Sequence, residues 1–135
     1  SGSLSGKVTL SIDRMDCQQM SAAGNITRAK INSVGLNLEN GKSTALIASM
    51  AIYIWDSTNE EDKDVARTGE APVRIGSIAS GKNFNDFVNV RSKPTSFTDT
   101  NREHFFKADI VDDSGAVVAS KTVKFKMVGS QCQVS

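Results

Sequence analysis

The sequence contains only one histidine, two cysteines and two prolines among 135 residues. Catalysis that relies on a histidine base would have to use His104, and no serine lies in a nucleophile-elbow motif. A hydrogen-bonded structural role is therefore the simpler interpretation of His104. The two cysteines are far apart and, with a single histidine, lack the ligand spacing of a zinc site. We expect a protein that is not an enzyme and that holds no metal and no cofactor.

A strong charge of one sign and a long apolar run are also missing. Sixteen basic residues face fifteen acidic ones, which leaves a net charge of +1. Proteins that bind nucleic acid usually carry a clear basic excess, so the balance argues against nucleic acid as the main partner. The longest uncharged stretch, Ser43–Trp55, is shorter than the roughly twenty apolar residues that a membrane-spanning helix needs. We expect no membrane span.

What is present is a period-two alternation of apolar and polar residues, which is typical of half-buried strands. The alternation and the turn residues between its segments predict short strands at Lys7–Asp13, Val34–Leu38, Val73–Ile78, Phe84–Arg91, His104–Ile110 and Thr122–Val128. Many short strands separated by turns favour an all-β fold, either an antiparallel β-sandwich or a small barrel of the OB type. Residues 1–6 read as a linker or a cloning remnant, and residues 7–135 as one domain.

Asn40-Gly41 is the strongest hairpin signal in the chain, because both residues tolerate the positive φ of a type I′ turn. A turn at this point would pair the strand before it with Ser43–Trp55. In that register Leu36 faces Ala45, so that the apolar faces of the two strands coincide. We therefore predict an antiparallel hairpin here.

Ser43–Trp55 has a second interpretation as a helix. Leu46, Met50 and Ile54 fall at helical spacing on one face. The isoleucine, tyrosine and tryptophan residues in the second half of the segment favour a strand instead. We predict a strand, with the helix as the alternative.

The segment HFFKADIVDDSGAVVASKTVKFKMV, residues 104–128, resembles the last two strands of bacterial immunoglobulin-like and E-set modules. In those modules a strand with alternating aromatic residues leads into an Asp-x-x-Gly turn, followed by a final strand that alternates valine and phenylalanine. The tyrosine corner and the Cys–Trp–Cys spacing of antibody domains are absent here. The resemblance implies an immunoglobulin-like sandwich and leaves the function open.

An immunoglobulin-like sandwich would bring the two cysteines close together, because its first and last strands can run side by side and parallel. Cys17 and Cys132 would then meet at one end of the domain, and we predict a disulfide between them. It would close a loop of about 115 residues. A disulfide is typical of oxidising compartments, so we expect an extracellular or cell-surface location. The alternative is two unrelated thiols, as is common in the cytosol.

Two polar loops, Asp56–Gly69 and Ser92–Arg102, are candidate binding regions. The acidic residues of the first could hold calcium, but their order lacks the alternation and central glycine of an EF-hand, so a solvated loop is the simpler interpretation. Asn25-Ile26-Thr27 is a glycosylation sequon. The loop side chains that we consider as partner or ligand contacts are Asp56, Glu60, Glu61, Asp62, Asp64, Phe97 and Arg102.

The aromatic residues number eight, and most of the phenylalanines lie on strand patterns that need them for the core, which leaves few aromatic residues for a stacking platform. We predict a non-enzymatic structural or interaction module of an extracellular, cell-surface or viral assembly. It would act through its surface or its strand edges on a protein partner or on a second copy. The alternatives are a module that binds a small ligand or glycan through the long loops, and an OB-like nucleic-acid binder. The basic residues available to the latter are Arg28, Lys30, Arg91, Lys93 and Arg102.

Overall fold

The computed structural model describes residues 6–24, 26–56, 72–91, 95–129 and 131–135. It has 74% strand and 0% helix, which confirms the predicted all-β class. The described ranges contain no helix that is long and apolar enough to cross a membrane. In chain order the strands are β1 (Val8–Ala23), β2 (Ile26–Asn40), β3 (Leu46–Asp56), β4 (Val73–Ile78), β5 (Asn83–Asn89), β6 (Ser96–Thr98), β7 (His104–Val111), β8 (Val117–Val128) and β9 (Gln131–Val134).

The strands form two antiparallel sheets, consistent with a β-sandwich. Sheet A has β2 at its centre, with β1 on one side and both β5 and β6 on the other. Sheet B has the order β4-β3-β7-β8-β9. Among the described residues no strand ladder joins the two sheets, which favours the sandwich over the small OB-like barrel.

The core lies between the inner faces of the two sheets and follows from the alternation in the sequence. In β2, Val34, Leu36 and Leu38 are fully buried, and in β7 Phe106 alternates in the same way. Burial of side chains of this size stabilises the fold by about 1.5–3 kcal/mol each. The largest fully buried apolar side chains are Phe106, Phe125, Ile31, Leu36, Leu38, Met50, Ile110, Val34 and Val90.

The first strand is longer than predicted. The alternation ends at Asp13, but β1 continues to Ala23 and pairs with β2 along its whole length. Three register shifts interrupt this pairing. Because a β-bulge inserts an extra residue, it breaks the period-two pattern while the strand continues.

The predicted hairpin at Asn40-Gly41 is wrong. β2 and β3 belong to different sheets, so the chain crosses from one sheet to the other at this point. Gly41 does not have a positive φ, and Ile47, which the hairpin would bury, is 42% exposed. The prediction failed because strands in opposite sheets of a sandwich have the same alternation as strands paired in one sheet.

Asn40 instead holds the crossover with its buried side chain. Its Nδ2 donates to the carbonyl oxygens of Thr44 and Ile78, each at 2.9 Å, and its Oδ1 accepts from the N–H of Lys42 at 3.1 Å. The amide is only 1% exposed, so these bonds satisfy a polar group that has no access to water.

Of the remaining strand predictions, one is confirmed, and two short strands were not predicted. Most of Ser43–Trp55 lies in β3, which runs from Leu46 to Asp56, so the strand interpretation is confirmed and the helix is wrong. β6 lies within the predicted loop Ser92–Arg102, and β9 follows the strand that we took as the last. Both are strands of three or four residues, too short for alternation to be recognised.

Candidate functional site

Cys17 and Cys132 form a disulfide, with an S–S distance of 2.02 Å and a Cα–Cα distance of 5.6 Å. The predicted pairing is therefore present, but the predicted placement is wrong. Cys17 lies inside β1 and Cys132 inside β9, and these strands do not share a ladder. They are edge strands of different sheets, so the disulfide ties the two sheets together along one side of the sandwich.

Most of the residues of the first predicted loop site lie outside the part of the chain that the structure describes. Glu60, Glu61, Asp62 and Asp64 lie outside the described residues, as does Asn25. Asp56 is the last residue of β3. In the described ranges no three His, Cys, Asp or Glu residues come together as metal ligands.

The second predicted loop contributes a core residue and a surface ion pair. Phe97 is only 6% exposed, so its place among the ligand contacts is wrong. Arg102 is exposed and its Nε lies 3.0 Å from the carboxylate of Asp99. The alternation that would have marked Phe97 as buried needs more residues than the three of β6.

His104 has a structural role, as expected. It is 3% exposed and its ring contacts those of Phe97 and Phe125. Its Nδ1 lies 3.0 Å from the carbonyl oxygen of Arg102. A carbonyl only accepts, so Nδ1 carries the proton in this bond.

Three aromatic residues lie on the outer face of sheet B. Trp55 and Phe105 stack with centroids 5.1 Å apart and an interplanar angle of 14°. Lys124 lies 5.9 Å from the centroid of Phe105, and Lys107 lies 5.4 Å from that of Tyr53. These ring–ring and ring–ammonium contacts link β3, β7 and β8 side by side. Such cross-strand contacts stabilise a sheet.

The free edges of the two sheets differ in how regular they are. In the described part of the chain, β1 has three register shifts along its pairing with β2, and β4 has one along its pairing with β3. β9 has four residues and β6 has three. Only β5 combines seven residues with an uninterrupted register, from the pair Ser33/Asn89 to the pair Glu39/Asn83. It contains no lysine and no proline, the residues that commonly protect an edge.

We call the side of β5 that faces away from β2 the β5 edge. The N–H of Val90 donates to the carbonyl of Asn32, and the N–H of Asn40 to the carbonyl of Lys82, so even-numbered positions face β2. In an antiparallel ladder the direction alternates along the strand. The N–H and C=O groups of Asn83, Asn85, Phe87 and Asn89 therefore point outward along the β5 edge.

The side chain of Phe87 leaves this edge uncovered. It is paired with Gly35 of β2, and a Cβ placed on Gly35 would lie 3.5 Å from Phe87 Cε1. The guanidinium carbon of Arg14 in β1 lies 5.0 Å from the ring centroid. The ring thus extends over β2 towards β1, away from the β5 edge, although 40% of Phe87 is exposed.

Two side chains of β5 accept hydrogen bonds from backbone groups on the outward side: Asn89 Oδ1 accepts the N–H of Arg91, just beyond the strand, at 2.9 Å, and Asp86 accepts within the strand. Asp86 Oδ1 accepts the N–H of Phe87 at 2.7 Å, in an exposed position. Strand edges are often protected by such charged side chains. We missed this site from sequence because β5 was predicted as a strand without any sign that it lies at an edge. No protein-family model and no curated protein matches this chain.

Proposed function

We propose that the protein is a non-enzymatic structural or interaction module of an extracellular, cell-surface or viral assembly, and that it takes up a partner's extended strand at the β5 edge. The observation that carries the proposal is the uninterrupted seven-residue register of β5, with outward backbone groups at every second residue. Strand addition to an exposed sheet edge is a recurrent mode of protein recognition.

The disulfide supports the location. A bond between Cys17 and Cys132 persists where thiols are oxidised, as outside the cell. It also keeps the two sheets together on the side of β1 and β9. The β5 edge lies on the other side of sheet A, so a partner strand could bind there while the disulfide stays intact.

Rival surfaces fit a ligand less well. Phe97 is in the core and cannot serve as a sugar-stacking residue. The rings of Trp55 and Phe105 stack on each other, which reduces the ring surface that a sugar could contact. The net charge of +1 gives no general attraction for nucleic acid.

The test uses a random peptide library displayed on phage. We expect the protein to enrich peptides that bind in an extended form and that slow amide hydrogen exchange at Asn85, Phe87 and Asn89. Asn85→Lys should abolish the binding, because a charged side chain at an edge opposes strand addition. Ser11→Lys is the matched control, since Ser11 and Asn85 are the two cross-strand neighbours of Asn37. It adds the same charge to the same row at the opposite edge.

Two results would contradict strand addition at this edge. Selected peptides that bind Asn85→Lys as well as the wild-type protein would have a site elsewhere. Peptides that protect amides of β1, β4 or β9 instead of β5 would assign a different edge.

A further inference from the structure

We infer that the strand which occupies the β5 edge is β5 of a second copy, antiparallel and related by a two-fold axis at Phe87. The inference rests on the proposed strand addition and adds the identity of the partner and the register of the pairing. It would join the two copies of sheet A into one continuous sheet.

The first support is that the edge is self-complementary. A two-fold interface brings the same patch of both copies together, so the patch must match itself when it is reversed. The outward residues of β5 include the row Asn85, Phe87, Asn89, which reads amide, aromatic, amide in both directions. An axis at Phe87 places Asn85 of each copy opposite Asn89 of the other. Asn89 Oδ1 accepts the N–H of Arg91 at 2.9 Å. An amide oxygen has two lone pairs and the amide nitrogen two hydrogens, so Asn89 can still accept from and donate to the Asn85 amide of the other copy.

The second support is that this register uses the outward backbone groups. Residues whose N–H and C=O groups point to the edge must face one another to form a hydrogen-bonded pair. With the axis at Phe87, Phe87 faces its own copy and Asn85 faces Asn89, all of them outward-pointing positions. The ring of Phe87 lies over Gly35 and does not block the approach.

Charge selects this axis over an axis at Asp86. An axis at Asp86 would also align the outward groups, but it would place the two Asp86 carboxylates directly opposite each other. Like charges in that position destabilise a strand pair. The axis at Phe87 places Asp86 opposite Val88 instead.

Asp86 then controls access to the pairing. Its carboxylate holds the N–H of Phe87, the group nearest to the axis. Both copies must release this bond before Phe87 can pair across the axis. We therefore expect Asp86→Ala to strengthen the dimer, since it frees the N–H and removes a charge from each edge.

Sedimentation velocity over a range of protein concentrations tests the dimer. We expect the wild-type chain to dimerise, Asn85→Lys to weaken the dimer about tenfold because the change occurs twice in a two-fold interface, and Ser11→Lys to leave it unchanged. Asp86→Ala should tighten it by about threefold or more. Equal melting temperatures of the variants, measured at dilute concentration, show that each one is folded.

A double variant tests the register. In the pairing about Phe87, Asn85→Lys combined with Asn89→Glu places opposite charges face to face across the axis at two symmetric points. We expect the double variant to regain most of the affinity that Asn85→Lys loses. With the axis at Asp86, position 85 would face position 87 and no recovery would follow.

The outcomes separate this inference from the proposed function. A dimer that is as tight in Asn85→Lys as in the wild type forms through another surface and overturns the inference. If wild type and Asp86→Ala both stay monomeric while phage peptides still bind the β5 edge, strand addition holds and the second copy is the wrong partner. If neither the peptides nor a second copy bind the edge, both are wrong.

Discussion

The backbone N–H of Phe87 and the carboxylate of Asp86 are joined by a hydrogen bond of 2.7 Å at the β5 edge. The N–H points away from β2, so in the monomer the bond to Asp86 is the interaction that slows its hydrogen exchange with solvent. We predict that Asp86→Ala speeds hydrogen exchange of the Phe87 amide by about tenfold, after correction for the change in neighbouring side chain. Exchange measured by NMR on dilute protein tests this, with the amide of Asn85 as internal control. An unchanged rate at Phe87 would mean that the carboxylate does not hold the edge.

We predict that loss of the disulfide strongly destabilises the domain. The bond closes a loop with a sequence separation of 115, and the chain-entropy model assigns about 4–5 kcal/mol to a loop of that size. Cys17→Ser together with Cys132→Ser should lower the melting temperature by about 10 °C or more. Calorimetry of the double variant and of the reduced wild type should agree. Two reactive thiols in denatured, unreduced protein would contradict the pairing.

We predict that Asn40→Ala lowers the free energy of unfolding by about 2–3 kcal/mol. The change leaves the buried carbonyl oxygen of Ile78 and the part-buried carbonyl oxygen of Thr44 without the donor that both use. Urea denaturation measures the loss, and Asn83→Ala, at an exposed position on the same sheet, is the control. Equal stability of the two variants would show that the crossover does not depend on the Asn40 amide.

We predict opposite effects for alanine at two glycines that lie in strands. At Gly35 a Cβ would meet Phe87 and Arg14 at 3.5–3.6 Å, ordinary contact distances, and φ is not positive. Gly35→Ala should therefore raise stability by about 0.5–1 kcal/mol. Gly76 has φ of 127°, so Gly76→Ala should lower stability by about 1–2 kcal/mol. Thermal melts of both variants give the signs, and a loss at Gly35 would mean that Phe87 cannot adjust to a methyl group.

The turn between β7 and β8 gives a prediction about pH. The hydroxyl of Ser114 and the backbone N–H groups of Ala116 and Ser114 donate to the Asp112 carboxylate and lower its pKa below the usual 3.8. A carboxyl whose pKa is lower in the folded state stabilises the protein above the unfolded pKa. That contribution is lost as the pH falls through the folded pKa.

Asp112→Ala should accordingly be less stable than wild type at neutral pH, and the difference should shrink in acid below the usual carboxyl range. Urea denaturation at several pH values measures it. Asp113→Ala removes the same charge from the neighbouring position and serves as the control. A difference between wild type and Asp112→Ala that does not change with pH would contradict the role of the carboxylate.

Much of the fold was predictable because burial alternates wherever one face of a strand meets the core. β7, the second half of β8 and the end of β2 follow this rule. The turn between β7 and β8 was predictable from its turn residues at Asp112–Gly115. The second half of β1 was not predictable, because its bulges remove the alternation that marks a strand. Asn40-Gly41 misled the prediction because a local turn signal cannot distinguish a hairpin from a crossover between sheets.

The candidate site was harder to predict from the sequence than the fold was. Phe84–Arg91 was predicted as a strand, and the structure confirms it with β5 at Asn83–Asn89. Whether a strand lies at an edge depends on strand order, which is set by contacts between distant parts of the chain. Here β2 has β1 on one side and β5 on the other, and nothing local to Asn83–Asn89 reports that arrangement.

The position of the disulfide has a mechanical consequence. When the chain is pulled from both ends, tension enters along β1, crosses from Cys17 to Cys132 and leaves through the end of β9. Every strand from β2 to β8 lies within the closed loop, so none of them can be drawn out while the bond is intact. Under such a pull the covalent bond limits the extension to the residues outside the loop, and the segment that contains β5 stays within it.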